Sequence, residues 1–130
     1  TVASLNNSRL LIYRIGGEAL LPSNPVTTSA DGEFEMPQIE ATNELIAQGE
    51  TRYNRNCAVC HGPMGISTRP DTYPDLRLSR RMATEASWAA VVLDGELADA
   101  GMVSFANNLG DGDAEAIRTY IINQANLTLQ

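Results

Sequence analysis

Both cysteines and the single histidine of the chain lie together in the run Cys57-Ala58-Val59-Cys60-His61. This C-x-x-C-H spacing is typical of the covalent attachment of c-type haem. Two thiols three positions apart can add to the two vinyl groups of one porphyrin, and the imidazole that follows then lies beneath the iron as its proximal ligand. The run therefore predicts a haem c bound through Cys57, Cys60 and His61, with His61 on the iron.

Other uses of paired cysteines fit this chain poorly. A thioredoxin-like C-x-x-C is expected beside a βαβ pattern, and a structural zinc site needs further Cys or His ligands. The sequence supplies neither. Because both thiols are committed to haem, we expect no disulfide.

A low-spin electron-transfer haem needs a second axial ligand, and methionine is the natural candidate in a chain with one histidine. The four methionines are Met36, Met64, Met82 and Met102. Met64 follows His61 too closely to reach the opposite haem face, and Met36 precedes the first predicted helix. Met82 and Met102 remain, and Met102 follows a glycine in a predicted loop whose freedom would let the sulfur reach iron.

Composition limits the classes of partner. The 130 residues carry sixteen acidic and nine basic side chains, a formal charge of −7, and every basic residue is arginine. No basic stripe is present to neutralise phosphates, so nucleic-acid binding is not expected, and a partner with a positive or apolar face is favoured. No apolar run is long enough to cross a bilayer. Haem attachment without a leader segment predicts a mature or trimmed periplasmic chain.

The pattern divides the chain at about residue 40. Residues 1–40 hold one β-prone run, 10–15, followed by turn formers, and predict an irregular extension or linker that either wraps the next domain or ends another domain. Residues 41–130 are predicted to be a single all-α domain. Helices are expected from Thr42, from near Thr84 to Gly95, and from about Gly112 to Asn126, with a loop over 62–81.

Several of these features occur in the order found in class I cytochrome c. The sequence resembles that family in Gly49, Tyr53 and the C-x-x-C-H run, then Pro74-Asp75-Leu76, then Gly101-Met102-Val103-Ser104-Phe105, then Tyr120 in the closing helix. The resemblance covers residues 41–127 and implies three main helices around one haem. It also implies Met102 as the second axial ligand and a Pro74 carbonyl that holds the proximal imidazole.

A second resemblance covers more of the chain. The run from Arg9 to Gly17 is similar to the last propeller strand of pyrroloquinoline quinone (PQQ) dependent quinohaemoprotein alcohol dehydrogenases, and the later motifs are similar to their carboxy-terminal cytochrome domain. This implies a PQQ dehydrogenase domain as electron donor, and a small periplasmic redox protein or the respiratory chain as acceptor. The quinone-binding residues lie outside these 130 residues, so the chain is not expected to be an enzyme by itself.

Two further residues are candidates for contact with the haem propionates. Arg77 could form a charge-assisted pair, and Trp88 could donate its indole N–H or simply fill the pocket. Arg80 and Arg81 are expected to be solvated. Two other functions stay open: a free-standing soluble carrier, and a haem sensor or peroxidase-like enzyme with an open iron position.

Overall fold

The computed structural model describes residues 34–70 and 72–128, and within them it is helical without strands. Its four helices are α1 (Asn43–Asn56), α2 (Ala58–His61), α3 (Glu85–Val92) and α4 (Asp111–Thr128). The predicted all-α class is confirmed for this part of the chain. The predicted strand at 10–15 lies outside the described residues. None of the described helices is both long and apolar enough to cross a membrane.

Helix α1 begins where the capping pattern predicts. The Thr42 side chain accepts a hydrogen bond from the Leu45 N–H at 3.2 Å, and Glu44 lies in the first turn, where its charge favours the helix dipole. Gly49 and Tyr53 form the buried side of the helix. Cys57, four residues after Tyr53, continues this side into the attachment run.

Helices α1 and α4 approach each other closely at Gly49. A Cβ atom built at this glycine would overlap the carbonyl oxygen of Ala116 and lie 2.8 Å from the Cβ of Tyr120. One turn later the rings of Tyr53 and Tyr120 meet with centroids 5.5 Å apart. Only glycine therefore lets helices α1 and α4 cross at this distance, and the two tyrosines pack against each other in the core.

Helix α3 begins at the predicted Thr84 cap, whose side chain accepts from the Ser87 N–H at 3.1 Å. It ends at Val92, three residues before the predicted Gly95, because the N–H groups of Leu93 and Asp94 both turn back to the Ala89 carbonyl. Its buried side carries Trp88, and the indole of Trp88 donates to the Ala114 carbonyl at 2.7 Å. This bond ties α3 to α4.

The segment before α1 packs on the helices. Met36 is buried in the core, and the Asn126 side chain of α4 donates to the Pro37 carbonyl at 3.4 Å. These residues belong to the segment that the sequence assigned to the extension 1–40. The boundary between extension and cytochrome-like domain stays a prediction.

The connection from 62 to 84, which includes the predicted loop 62–81, contains three short 3₁₀ turns: Pro63–Gly65, Leu76–Leu78 and Arg80–Ala83. Asp75 caps the second turn by accepting from the Arg77 N–H at 3.0 Å, and Ser79 caps the third by accepting from the Arg81 N–H at 3.3 Å. A fourth turn, Ala98–Ala100, precedes Met102. The last three of these turns contribute residues to the wall of one cavity.

Candidate functional site

A cavity of about 470 Å³ lies between the attachment run, the 72–81 connection, α3 and the Met102 segment. This volume falls within the range of cofactor sites in proteins. The residues that line it are Cys57, Cys60, His61, Thr72, Tyr73, Pro74, Leu76, Ser79, Arg81, Trp88, Val91, Leu97, Ala100, Gly101 and Met102.

The two thiols reach this cavity from one helical turn. The N–H groups of Cys60 and His61 both donate to the Cys57 carbonyl, at 3.1 and 3.0 Å, so all three side chains leave the same turn. Cys57 is buried and Cys60 is exposed. Burial, with a smaller contribution from the nearby Cys60 charge, raises the pKa of the Cys57 thiol to about 12.

The His61 imidazole is oriented by a backbone carbonyl. Its Nδ1 atom lies 3.2 Å from the oxygen of Pro74, and the side chain is only 7% exposed. With Nδ1–H donating to this oxygen, Nε2 carries the lone pair that a metal needs. The Tyr73 ring meets the imidazole edge-on at 6.1 Å, and the Arg69 guanidinium lies 4.9 Å from the Tyr73 ring centroid.

Met102 is the one methionine of the four that lines the cavity among the described residues. Met36 and Met82 are buried in the core, and Met64 is 42% exposed. The Met102 N–H donates to the Leu97 carbonyl at 3.1 Å. Gly101, at φ 96°, makes the left-handed turn that delivers Met102 to the cavity.

The residues after Met102 are fixed to the end of α3. The Phe105 N–H donates to the Val92 carbonyl at 2.7 Å, and the Ser104 hydroxyl donates to the Leu93 carbonyl. The Ser104 oxygen also accepts from the Ala106 N–H at 3.2 Å. Met102 is thus carried on a short segment that is anchored on both sides.

Of the two residues predicted to contact propionates, the structure brings one to the cavity. The Trp88 ring lines it, with the indole N–H already bound to Ala114. The Arg77 side chain is not among the lining residues. Its Nε and one terminal nitrogen bind the Asp75 carboxylate at 3.0 and 2.7 Å, and the other terminal nitrogen donates to Thr128 at 2.9 Å. Arg77 is thus paired with Asp75 and Thr128 outside the cavity lining, and its contact with a propionate stays a prediction.

Arg81 is the residue that sequence reasoning missed. Its side chain is partly exposed, in keeping with the expectation that it is solvated, and it also lines the cavity, where it is the one guanidinium among the described residues. Both terminal nitrogens of Arg81 donate to the Glu96 carboxylate, at 3.1 and 2.6 Å, and both side chains are partly exposed. The local signal in this part of the sequence is Ser79, whose side-chain oxygen accepts the Arg81 N–H and caps the 3₁₀ turn that carries Arg81.

The lining residues fit a covalently attached haem. Two thiols and an imidazole leave one turn, a thioether lies on another wall, and the remaining lining is largely apolar, with Trp88, Val91 and Leu97. Sulfur and imidazole are ligands suited to haem iron. The single lining guanidinium, Arg81, would suit a carboxylate of the porphyrin.

Comparison with known proteins agrees with this chemistry. Residues 44–121 match the family model described as cytochrome c oxidase, cbb3-type, subunit III. The chain belongs to this cytochrome c family. As a cytochrome c domain it is an electron-transfer module, and the predicted resemblance to cytochrome c is confirmed.

The chain is also similar to quinohemoprotein and quinone alcohol dehydrogenases. It is 35% identical over 119 residues to quinohemoprotein alcohol dehydrogenase ADH IIB of Pseudomonas putida, covering 92% of this chain and 17% of that protein. It is 29% identical over 129 residues to the dehydrogenase subunit of the quinone alcohol dehydrogenase of Komagataeibacter europaeus, covering 98% and 17%. The chain spans about a sixth of the length of these relatives.

Proposed function

We propose that this chain transfers single electrons through a haem c that is covalently attached at Cys57 and Cys60 and ligated by His61 and Met102. The observation that carries the proposal is the convergence of these four side chains on one cavity, with Nδ1 of His61 held by Pro74. Bound there, haem supplies an iron that gains and loses one electron.

The residues of the chain would keep that iron in one environment in both oxidation states. The Pro74 carbonyl fixes the ring of His61, and the anchored segment around Met102 restricts the movement of its sulfur. Trp88 and Val91 of α3 line the cavity with apolar surface and would exclude water on that side once haem is bound. Little rearrangement would then accompany electron transfer.

We further propose that the electron donor is a PQQ dehydrogenase domain, and that the acceptor is a small periplasmic redox protein or the respiratory chain. The support is the similarity to proteins named quinohemoprotein and quinone alcohol dehydrogenases, of which this chain matches a minor part. The proposed location is the periplasm. On this proposal the chain is the electron-exit domain and carries no alcohol chemistry of its own.

Carbon monoxide binding tests the ligation. The reduced, haem-loaded chain is expected to resist carbon monoxide, whereas Met102→Ala is expected to bind it rapidly and to lose the sulfur-to-iron charge-transfer band of the oxidised form. Met64→Ala is the matched control, because Met64 is partly exposed and does not line the cavity. Rapid uptake by the unaltered protein would contradict methionine ligation and favour the sensor or peroxidase-like alternative.

The place of the chain in an enzyme is tested separately. A haem-stained denaturing gel of the native periplasm, probed in parallel with an antibody to this domain, is expected to show one band several times larger than 14.0 kDa. A haem-stained band at the size of this chain would instead identify a free-standing carrier.

A further inference from the structure

One residue, Tyr53, holds both ends of the attachment run. Its carbonyl accepts the Cys57 N–H at 2.8 Å, where the run begins. Its hydroxyl donates to the Gly62 carbonyl at 2.6 Å and accepts from the Gly65 N–H at 3.1 Å, just after the run ends at His61. Because the ring is completely buried, this arrangement cannot be exchanged freely for contacts with water.

The turn that receives these hydrogen bonds includes one residue, Met64, in an unfavourable backbone conformation. Gly62, Met64 and Gly65 all have positive φ, at 75°, 57° and 79°. For Met64 this is a backbone region that side chains disfavour, and such residues persist only where their surroundings hold them. The Tyr53 hydroxyl bonds to both sides of Met64 and supplies that restraint.

Removing the Tyr53 hydroxyl would remove the hydrogen-bond partner of both the Gly62 carbonyl and the Gly65 N–H. The Gly65 N–H is buried and bonds to Tyr53, so its loss of a partner carries a desolvation cost. Burial raises the pKa of the Tyr53 hydroxyl, so it remains a protonated donor to Gly62.

From these contacts we propose that the Tyr53 hydroxyl is a positioning group for haem attachment: it holds the turn after His61 closed, so that both thiols and the imidazole are presented together and His61 stays against Pro74. This inference rests on the proposed haem function and deepens it. Tyr53 is not itself among the residues that line the cavity, and its hydroxyl acts through the backbone of Gly62 and Gly65, just after the run.

Tyr53→Phe tests the proposal, with Tyr120→Phe as matched control. Tyr120 is also buried and packs against Tyr53, while the bonds to the turn come from Tyr53. Each 130-residue chain is produced with a bacterial haem-attachment system. The loaded fraction is measured by intact mass, the reduction potential by titration, and the protection of the Gly65 amide by hydrogen exchange.

We expect Tyr53→Phe to lower Gly65 protection roughly twofold to tenfold, the range for one net hydrogen bond, and to lower the loaded fraction. The reduction potential is expected to rise, because a less firmly held His61 is less basic and stabilises oxidised iron less. Tyr120→Phe is expected to change neither the loaded fraction nor the potential.

Equal loading and an unchanged potential in Tyr53→Phe would overturn the inference while leaving the proposed function intact, and so would equal losses in both variants. An unaltered chain that gains no haem would overturn both. If Tyr53→Phe does not fold, hydrogen exchange in the unaltered chain decides the inference: a protected Gly65 amide supports it, and exchange at the rate of an exposed loop overturns it.

Discussion

Nδ1 of His61 lies 3.2 Å from the carbonyl oxygen of Pro74, thirteen residues further along the chain. The partner is a backbone atom, so its direction is set by the course of the 72–78 segment and not by a rotatable side chain. This bond assigns the Nδ1 proton and leaves Nε2 available. It links a local attachment motif to a distant segment, and it is the contact on which the orientation of the proposed ligand depends.

Replacing Arg81, which lines the cavity, is predicted to change the reduction potential more than replacing Arg77, which lies four residues earlier and outside the lining. Arg81→Gln is expected to lower the reduction potential of the loaded chain on the order of tens of millivolts, because it removes a positive charge that disfavours oxidised iron. The measurement is a redox titration.

Arg77→Gln is the matched control, since it removes the same charge from outside the cavity lining. It is expected to leave the potential close to that of the unaltered chain, and to cost about 1–3 kcal/mol of unfolding free energy through the loss of the guanidinium hydrogen bonds to the Asp75 carboxylate. A larger potential shift in Arg77→Gln than in Arg81→Gln would contradict the assignment of Arg81 to the site.

The close crossing of α1 and α4 predicts that alanine substitutions at Gly49 and Gly112 have very different effects on the free energy of unfolding. Gly49→Ala is expected to lower the free energy of unfolding by about 1–3 kcal/mol or more, because its methyl group would overlap the Ala116 carbonyl. Gly112→Ala, inside α4 with nothing within 4 Å of the added carbon, is expected to be neutral or to stabilise by up to about 1 kcal/mol. Urea unfolding of the two variants measures the difference, and equal midpoints would contradict the close crossing.

The two thiols are expected to differ in reactivity before haem is attached. The thiolate is the form that reacts with iodoacetamide, and burial holds the Cys57 pKa at about 12, so this residue has little thiolate at neutral or mildly alkaline pH. In the unloaded chain Cys60, which is exposed, should be alkylated first. Peptide mass spectrometry across a pH series checks this order, with Cys57 labelling expected to rise only as the pH approaches its pKa. Equal labelling at neutral pH would contradict the buried position of Cys57.

Sequence reasoning predicts the helices well because their signals are local. Thr42 and Thr84 cap the helices that they precede, and the four-residue spacing of Gly49, Tyr53 and Cys57 marks the buried side of α1. The 3₁₀ turns between 62 and 84 are harder, because each is only one turn long. The Asp75 and Ser79 side chains, which cap two of these turns, are the local sequence signals that indicate where the turns begin.

The side-chain partners at the site are less predictable than the elements that carry them. Arg77 and Arg81 lie in the same polar loop, and their spacing alone does not predict which one lines the cavity. In the structure Arg77 pairs with Asp75 and Arg81 pairs with Glu96, and only Arg81 of these two arginines is in the lining. The Trp88 indole bonds to a carbonyl twenty-six residues later, a contact that exists only once α3 and α4 have packed.

The most direct test of covalent haem attachment is the intact mass of the denatured chain after production with a bacterial haem-attachment system. We predict a gain of the mass of one haem that survives denaturation and is lost in the Cys57→Ala, Cys60→Ala double variant. A denatured chain with the mass of the polypeptide alone would contradict the central claim.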